Sequence, residues 1–327
     1  MNIIHATAAL NAYLDADIPA FLWGAPGVGK SDAVRAVAKS RDANLIDFRA
    51  VLRDPVDLRG LPSIQDGVAR WLAPSDLPNA ERDGNNGILF MDELNAAAPS
   101  VQAACFGLVL DRKIGEYTLP DGWKIIAAGN RQSDKAAAQR MPSALANRFA
   151  HIDVEPDIEA FSKWAYANDI NPMVIAFLRF KSSLLHDMSN DRAFPTPRAW
   201  AQVSKVADAP AELLLPLVSG LVGDGAGSEF TGFLRVAKDL PSLDYVLANP
   251  EKCEIPKDTS ARYAISIGLA ARIKTDEELA RAITYTKRMP AEFNVLTVTD
   301  AVTRDKALSH GQAFTTWASD NKDIVFG

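Results

Sequence analysis

Apolar residues change their spacing near residue 156. Before it, short stretches rich in apolar residues at 18–23, 44–49, 87–91, 123–128 and 151–154 read as strands, the apolar runs at 18–23, 87–91 and 123–128 as buried ones. Between them lie helical spacings: Ile3, Ala6, Leu10, Tyr13 and Leu14; then Val34, Val37 and Ala38 within 31–40; then 100–109. Strands alternating with helices predict an α/β unit with a parallel sheet. Pro19 is tolerable only near the start of the first strand. Residues 52–62, rich in proline and closed by Gly60, read as a loop or broken helix, and 68–72 with 74–86 as a further excursion. Gly115 and Asp121-Gly122 predict a hairpin within 111–122, and 141–149 a short helix ending at Arg148.

Beyond Pro156 the strand signals fade and helices dominate. Asp157 is placed to cap a helix carrying Ile158, Phe161, Trp164 and Ala165. Asn171-Pro172 opens another that runs to Leu184 and Leu185, and Thr196-Pro197 a third, with Pro at the first helical position. An apolar helix over 213–222 precedes glycines between Gly220 and Gly227, which read as a flexible break. Amphipathic spacing returns at 277–289. These shifts divide the chain into an α/β unit at 1–155, a helical unit at 156–255 and a helical extension at 256–327.

Composition excludes more than it selects. The 327 residues are 48% apolar and 23% charged, ordinary for a globular protein. A net charge of −6 argues against a strongly basic surface that coats nucleic acid, though not against a local basic pore. Cys105 and Cys253 show no CxxC spacing and read as small core residues in a reducing compartment. The N-terminus lacks a signal-peptide pattern and no apolar stretch is long enough to span a bilayer, so a soluble, cytoplasmic protein is expected. His5, His151, His186 and His310 lack metal-ligand spacing.

Two stretches carry chemistry. Gly24-Ala25-Pro26-Gly27-Val28-Gly29-Lys30-Ser31 matches the phosphate-binding P-loop pattern in full, between a strand and a helix. Glycines let successive N–H groups point inward at phosphate oxygens, and the following helix presents its positive end to the same anion. Lys30 can reach the β- and γ-phosphates, and Ser31 can hold Mg²⁺. The second stretch is the strand at 87–91 followed by Asp92 and Glu93, at the end of the strand where α/β sheets gather ligand chemistry. Downstream of a P-loop it reads as a Walker B element: Asp92 binds Mg²⁺ through water, and Glu93 polarises the attacking water. Asn130, ending the strand at 123–128, can contact the γ-phosphate or that water, or can simply cap a turn. Arg148 on its residues alone is a surface arginine. Arg198, in a first helical turn where a cation is unfavourable, is either a surface residue or is kept for a phosphate.

Taken in order, Lys30, Asp92, Glu93, Asn130, Arg148 and Arg198 resemble the site of an AAA+ ATPase, most of all the MoxR branch. The matching stretches are Gly24–Ser31, Phe90-Met-Asp-Glu-Leu-Asn95, Ala127-Ala-Gly-Asn130, Ser143-Ala-Leu-Ala-Asn-Arg-Phe149 and Thr196-Pro-Arg-Ala199. The resemblance implies an αβα core with an all-α lid, ATP and Mg²⁺ as ligands, and a homo-oligomeric ring, commonly a hexamer. It gives Asn130 the sensor 1 role, Arg148 that of an arginine finger reaching a neighbour's site, and Arg198 the sensor 2 role. It also implies a remodelled protein client and a partner with a von Willebrand factor A domain or metal-binding fold. Ala96 and Arg131 depart from the family's usual arginine and proline, and Asp57-Leu-Arg-Gly60 only partly matches a family loop. Two alternatives stand beside this one. In the first, a loader or translocase acts on nucleic acid through Arg53, Arg59, Lys113, Arg131 and Lys135. In the second, an ATP-gated scaffold assembles with little turnover.

Overall fold

A computed structural model describes residues 1–134, 139–190 and 192–322, leaving aside the side chain of Asp57. Lys135 therefore lies outside the described residues. The chain divides into two compact units, Met1–Pro156 and Asp157–Gly327.

The first unit holds β1 (Ala20–Trp23), β2 (Asn44–Arg49), β3 (Leu61–Gln65), β4 (Val68–Leu72), β5 (Gly87–Asp92), β6 (Lys113–Ile114), β7 (Tyr117–Thr118), β8 (Trp123–Gly129) and β9 (Ala150–Asp153). Five of them form one parallel sheet in the order β2-β5-β8-β1-β9. The central strands read as unbroken apolar runs because both faces are covered. Alternation sends Phe21, Leu89, Met91, Ile125 and Ala127 into one core with Cys105, Leu108 and Phe149. Leu22, Ile88, Phe90, Ile126 and Ile152 enter the other, against Leu10, Val34 and Val37 of helices Ile3–Asp15 and Lys30–Ser40. β1 begins at Ala20 rather than at 18. Pro19 has no N–H to give a ladder, and Ile18 is instead held in a turn by the Tyr13 carbonyl.

The stretch expected to be irregular is more ordered than its prolines suggest. It forms a 3₁₀ turn at Ala50–Leu52, a helix at Pro55–Arg59, and then β3, which pairs antiparallel with β4. β6 and β7 make the expected second hairpin. The helix expected to reach Arg148 spans only Ser143–Ala146.

Every regular element among the described residues of the second unit is helical. One core gathers around Phe177, Trp200 and Phe230, another around Tyr285, Phe293 and Trp317. Helix Thr259–Arg272 feeds both, giving Ala264 and Ile267 to the first and Ile265 and Leu269 to the second. Asp157, Asn171 and Thr196 each accept a backbone N–H at their helix starts. Two expectations are corrected. Helix Pro172–Phe180 ends before Leu184 and Leu185, which occupy a separate 3₁₀ turn, Ser182–Leu185. The glycines of 220–227 are not a flexible break: only Gly223, at φ 84°, interrupts helices Ala211–Val222 and Asp224–Lys238. Gly227 serves packing instead, since a Cβ there would lie 2.6 Å from Ser219 Oγ and 3.0 Å from Ser219 backbone atoms. Among the described residues no helix is long and apolar enough to cross a membrane.

Candidate active site

β1 runs out at Trp23, and the chain turns through residues 24–29 into helix Lys30–Ser40. The turn depends on its glycines. Gly27 and Gly29 hold φ of 78° and 97°, open to glycine at little cost, and a Cβ on Gly24 would lie 2.7 Å from the Val154 carbonyl. The helix has no side-chain cap, so its first N–H groups face the loop, as an anion site requires.

Lys30 is only 8% exposed, and a buried ammonium must be bonded. It donates to the carbonyls of Gly24 (2.6 Å) and Ala25 (3.1 Å) and to Asn130 Oδ1 (2.9 Å). Ser31 Oγ donates to Asp92 Oδ2 at 2.9 Å. The structure thus brings together the P-loop, the end of β5 and the end of β8 along one edge of the sheet, the carboxyl edge where such sheets bind ligands. Glu93 follows Asp92 in a left-handed conformation at φ 55°, with its N–H on Asp92 Oδ1 at 3.0 Å. This turns the chain out of the strand into the 3₁₀ turn Leu94–Ala96. A hydroxyl beside a carboxylate, with oxygen donors alone, fits a hard cation such as Mg²⁺ that keeps water and phosphate for its remaining ligands. Among the described residues no cluster of three or more His, Cys, Asp and Glu could hold a metal by itself.

Sequence reasoning gave Asn95 no role, yet it joins the ends of β5 and β8. Only 1% exposed, it donates from Nδ2 to the Asn130 carbonyl at 2.7 Å, while its backbone carbonyl accepts the Gln139 N–H at 2.8 Å. Gly129 leaves room for it: a Cβ there would stand 2.0 Å from Asn95 Oδ1. Arg131, a departure from the family pattern, ties the end of β8 to β9 through Asp153 (3.1 Å), Glu155 (2.6 Å) and the Val154 carbonyl (3.1 Å).

Arg148 does not join this cluster. It sits on the turn between Ser143–Ala146 and β9, exposed and in no ion pair among the described residues. Arg198 lies in the other unit, second in helix Pro197–Val206, likewise exposed.

Part of the chain resembles known proteins. Residues 19–149 match the model of the AAA domain, dynein-related subfamily. A stretch of 171 residues is 28% identical to Midasin of Giardia intestinalis and covers 49% of this chain, which spans only 4% of that protein's length. Among solved structures, NtrX of Brucella abortus in complex with ATP is 13% identical over 98% of this chain and 67% of its own, at a TM-score of 0.44. The RuvB Holliday junction branch migration motor of Thermotoga maritima is 17% identical over 76% and 75%, at 0.39.

Proposed function

We propose that this chain, whose residues 19–149 match the AAA domain, dynein-related subfamily, hydrolyses ATP with Mg²⁺ as part of a homo-oligomeric ring, commonly a hexamer, that remodels or activates a protein client in the manner of the MoxR branch. The observation that carries the ATPase reading is the pair of contacts Lys30–Asn130 and Ser31–Asp92, which set a cation, a metal-ligand pair and a polar amide around one glycine-rich cradle.

Lys30 exchanges its two loop carbonyls for phosphate oxygens, and the amides of 24–29 orient the phosphates. Ser31 and Asp92 would hold Mg²⁺, which would supply neutralising charge for the phosphates. Glu93, turned out of the strand, orients water and takes its proton. Asn130 contacts the γ-phosphate or that water. Arg148 of a neighbouring copy and Arg198 of the helical unit bring positive charge to the transferring phosphoryl group, and a trans arginine is worth ~10³ to 10⁵ in rate.

A protein client is supported by hairpin β3–β4, where Leu61, Ile64, Val68, Trp71 and Leu72 are all exposed, Ile64 by 83%. An apolar patch of this kind on a folded unit serves contact with another protein. The basic residues named for nucleic acid are partly consumed. Arg53 pairs with Asp76 and lies 5.0 Å over the Phe48 ring, and Arg131 is bound by two carboxylates. A partner with a von Willebrand factor A domain or metal-binding fold remains the family's contribution to the proposal.

The test is steady-state ATPase of wild type against Glu93→Gln, with ATP binding measured alongside. Turnover is expected to fall by about 10² or more with binding retained; equal rates would remove Glu93 from the mechanism. The same variant, trapped with ATP, serves as bait for the client, and stimulation by DNA or RNA instead would favour the nucleic-acid reading.

A further inference from the structure

Outside the nucleotide cradle, a line of contacts runs from the P-loop to Arg148. Trp23 is covalently joined to Gly24, and its indole Nε1 donates to His151 Nδ1, on the edge strand β9, at 2.8 Å. An indole N–H can only donate, so Nδ1 accepts and the ring proton sits on Nε2. His151 Nε2 lies 2.8 Å from the Ala146 carbonyl, to which it donates. Ala146 closes helix Ser143–Ala146, two residues before Arg148, and the same carbonyl accepts the Phe149 N–H at 3.2 Å. The Arg148 N–H goes to Leu145 at 3.1 Å. Rings make a second connection: Phe21 stacks on Trp23 at 4.2 Å and meets Phe149 edge-on at 5.5 Å, with Phe21 and Phe149 both in the core. The backbone of Arg148 is therefore fixed on both sides, while its side chain is exposed and unpaired among the described residues.

We propose that Trp23 and His151 are positioning residues that link the state of a subunit's own P-loop to the placement of its Arg148 in the neighbour's site. A shift of Gly24 on phosphate binding moves the indole N–H, His151 follows its partner, and the Ala146 carbonyl carries the change to the turn that presents Arg148. The proposal rests on the reading of Arg148 as a residue acting in trans.

Mixed oligomers separate the two ideas. A Glu93→Gln subunit cannot turn over its own ATP but supplies an arginine; an Arg148→Ala subunit has a working site but supplies none. Each alone is expected to be inactive and the mixture active. Trp23→Phe, which keeps a ring on Phe21 but loses the N–H, and His151→Phe are then placed either in the arginine donor or in the Arg148→Ala subunit. In the donor, kcat of the mixture is expected to fall about three- to ten-fold, the scale of one lost hydrogen bond, with KM for ATP unchanged. The fall in the other placement is expected to be several-fold smaller. Equal losses in both placements, or none in the donor, overturn the proposal while the trans arginine stands. An inactive mixture of the two parent variants overturns the trans reading and the proposal with it. If His151→Phe fails to fold, Trp23→Phe still decides the matter.

Discussion

Gly129 and Asn95 form a pair whose energetics follow from a single steric fact. A Cβ added at Gly129 would stand 2.0 Å from Asn95 Oδ1 and 2.7 Å from Asn95 Cγ, with Phe21 Cζ next at 3.0 Å. Asn95 cannot swing aside, being 1% exposed and bonded through Nδ2 to the Asn130 carbonyl. Overpacking costs about 1–3 kcal/mol, and displacing the amide forfeits a hydrogen bond of about 1 kcal/mol, so Gly129→Ala is expected to destabilise the first unit by about 2–4 kcal/mol. Asn95→Ala loses the same hydrogen bond but also removes Oδ1, a buried acceptor without a partner. Those effects oppose, leaving a cost of about 1–2 kcal/mol. In the double variant the new methyl enters the vacated space, and only the approach to Phe21 remains. The cost of the double variant should therefore fall short of the sum of the two single costs by about 2 kcal/mol, within the range known for touching residues. Native-state hydrogen exchange of the β8 amides reads this directly for that unit, whatever the other unit does. Costs that add to within about 0.5 kcal/mol would refute the steric account.

Other expectations follow from single contacts. Ser31→Ala removes the hydroxyl beside Asp92 and should raise the Mg²⁺ concentration for half-maximal ATPase, read by a Mg²⁺ titration at saturating ATP. Glu278 closes a capping box with Thr275, and N–H donation from Lys274 first, then the charge of Arg272, holds its carboxyl below the ordinary 4.5. Its folded value is depressed, so the stabilisation is complete above that ordinary value and is lost as pH falls through the folded one. Glu278→Gln should therefore destabilise at pH 7 and flatten the acid limb of urea midpoint against pH below about 4.5. Gly227→Ala meets Ser219 and should cost about 1–3 kcal/mol in urea denaturation, whereas Gly232→Ala, with nothing within 4 Å of the new methyl, should gain about 0.5–1 kcal/mol.

Legibility tracked burial. The inner strands β1, β5 and β8 stand out because both faces are covered and their residues are apolar in succession, as in Ile88 to Met91. The P-loop pattern and the Asp92-Glu93 pair stand out in the sequence because the chemistry proposed for them needs fixed spacing. Hairpin β3–β4 was missed for the opposite reason: its apolar residues point outward and Pro62 argues against a strand, so periodicity has no core to report. The glycines of 220–227 misled because composition cannot tell a left-handed glycine from one kept small for a helix crossing. Gly223 is the first and Gly227 the second. Asn95 and the Trp23–His151 bond are pairings between distant or unmarked positions, and only the sheet order, which puts β9 beside β1, brings the latter together.

The partners of Lys30 bear on how the proposed site would sense nucleotide. Its ammonium is bonded to two loop carbonyls and to Asn130, so a phosphate entering the cradle competes with contacts already made. The carbonyls of Gly24 and Ala25 remain in a loop that can hydrate. The Asn130 side chain, released from Lys30, is the group left to find a new partner near the γ-phosphate. Its backbone cannot follow, because Asn95 holds the Asn130 carbonyl from within the core. Sensing in this site would then be a side-chain exchange at a fixed strand end. ATP and ADP should differ at Asn130 more than at Lys30, since both nucleotides offer the β-phosphate that Lys30 reaches and only ATP offers the γ-phosphate.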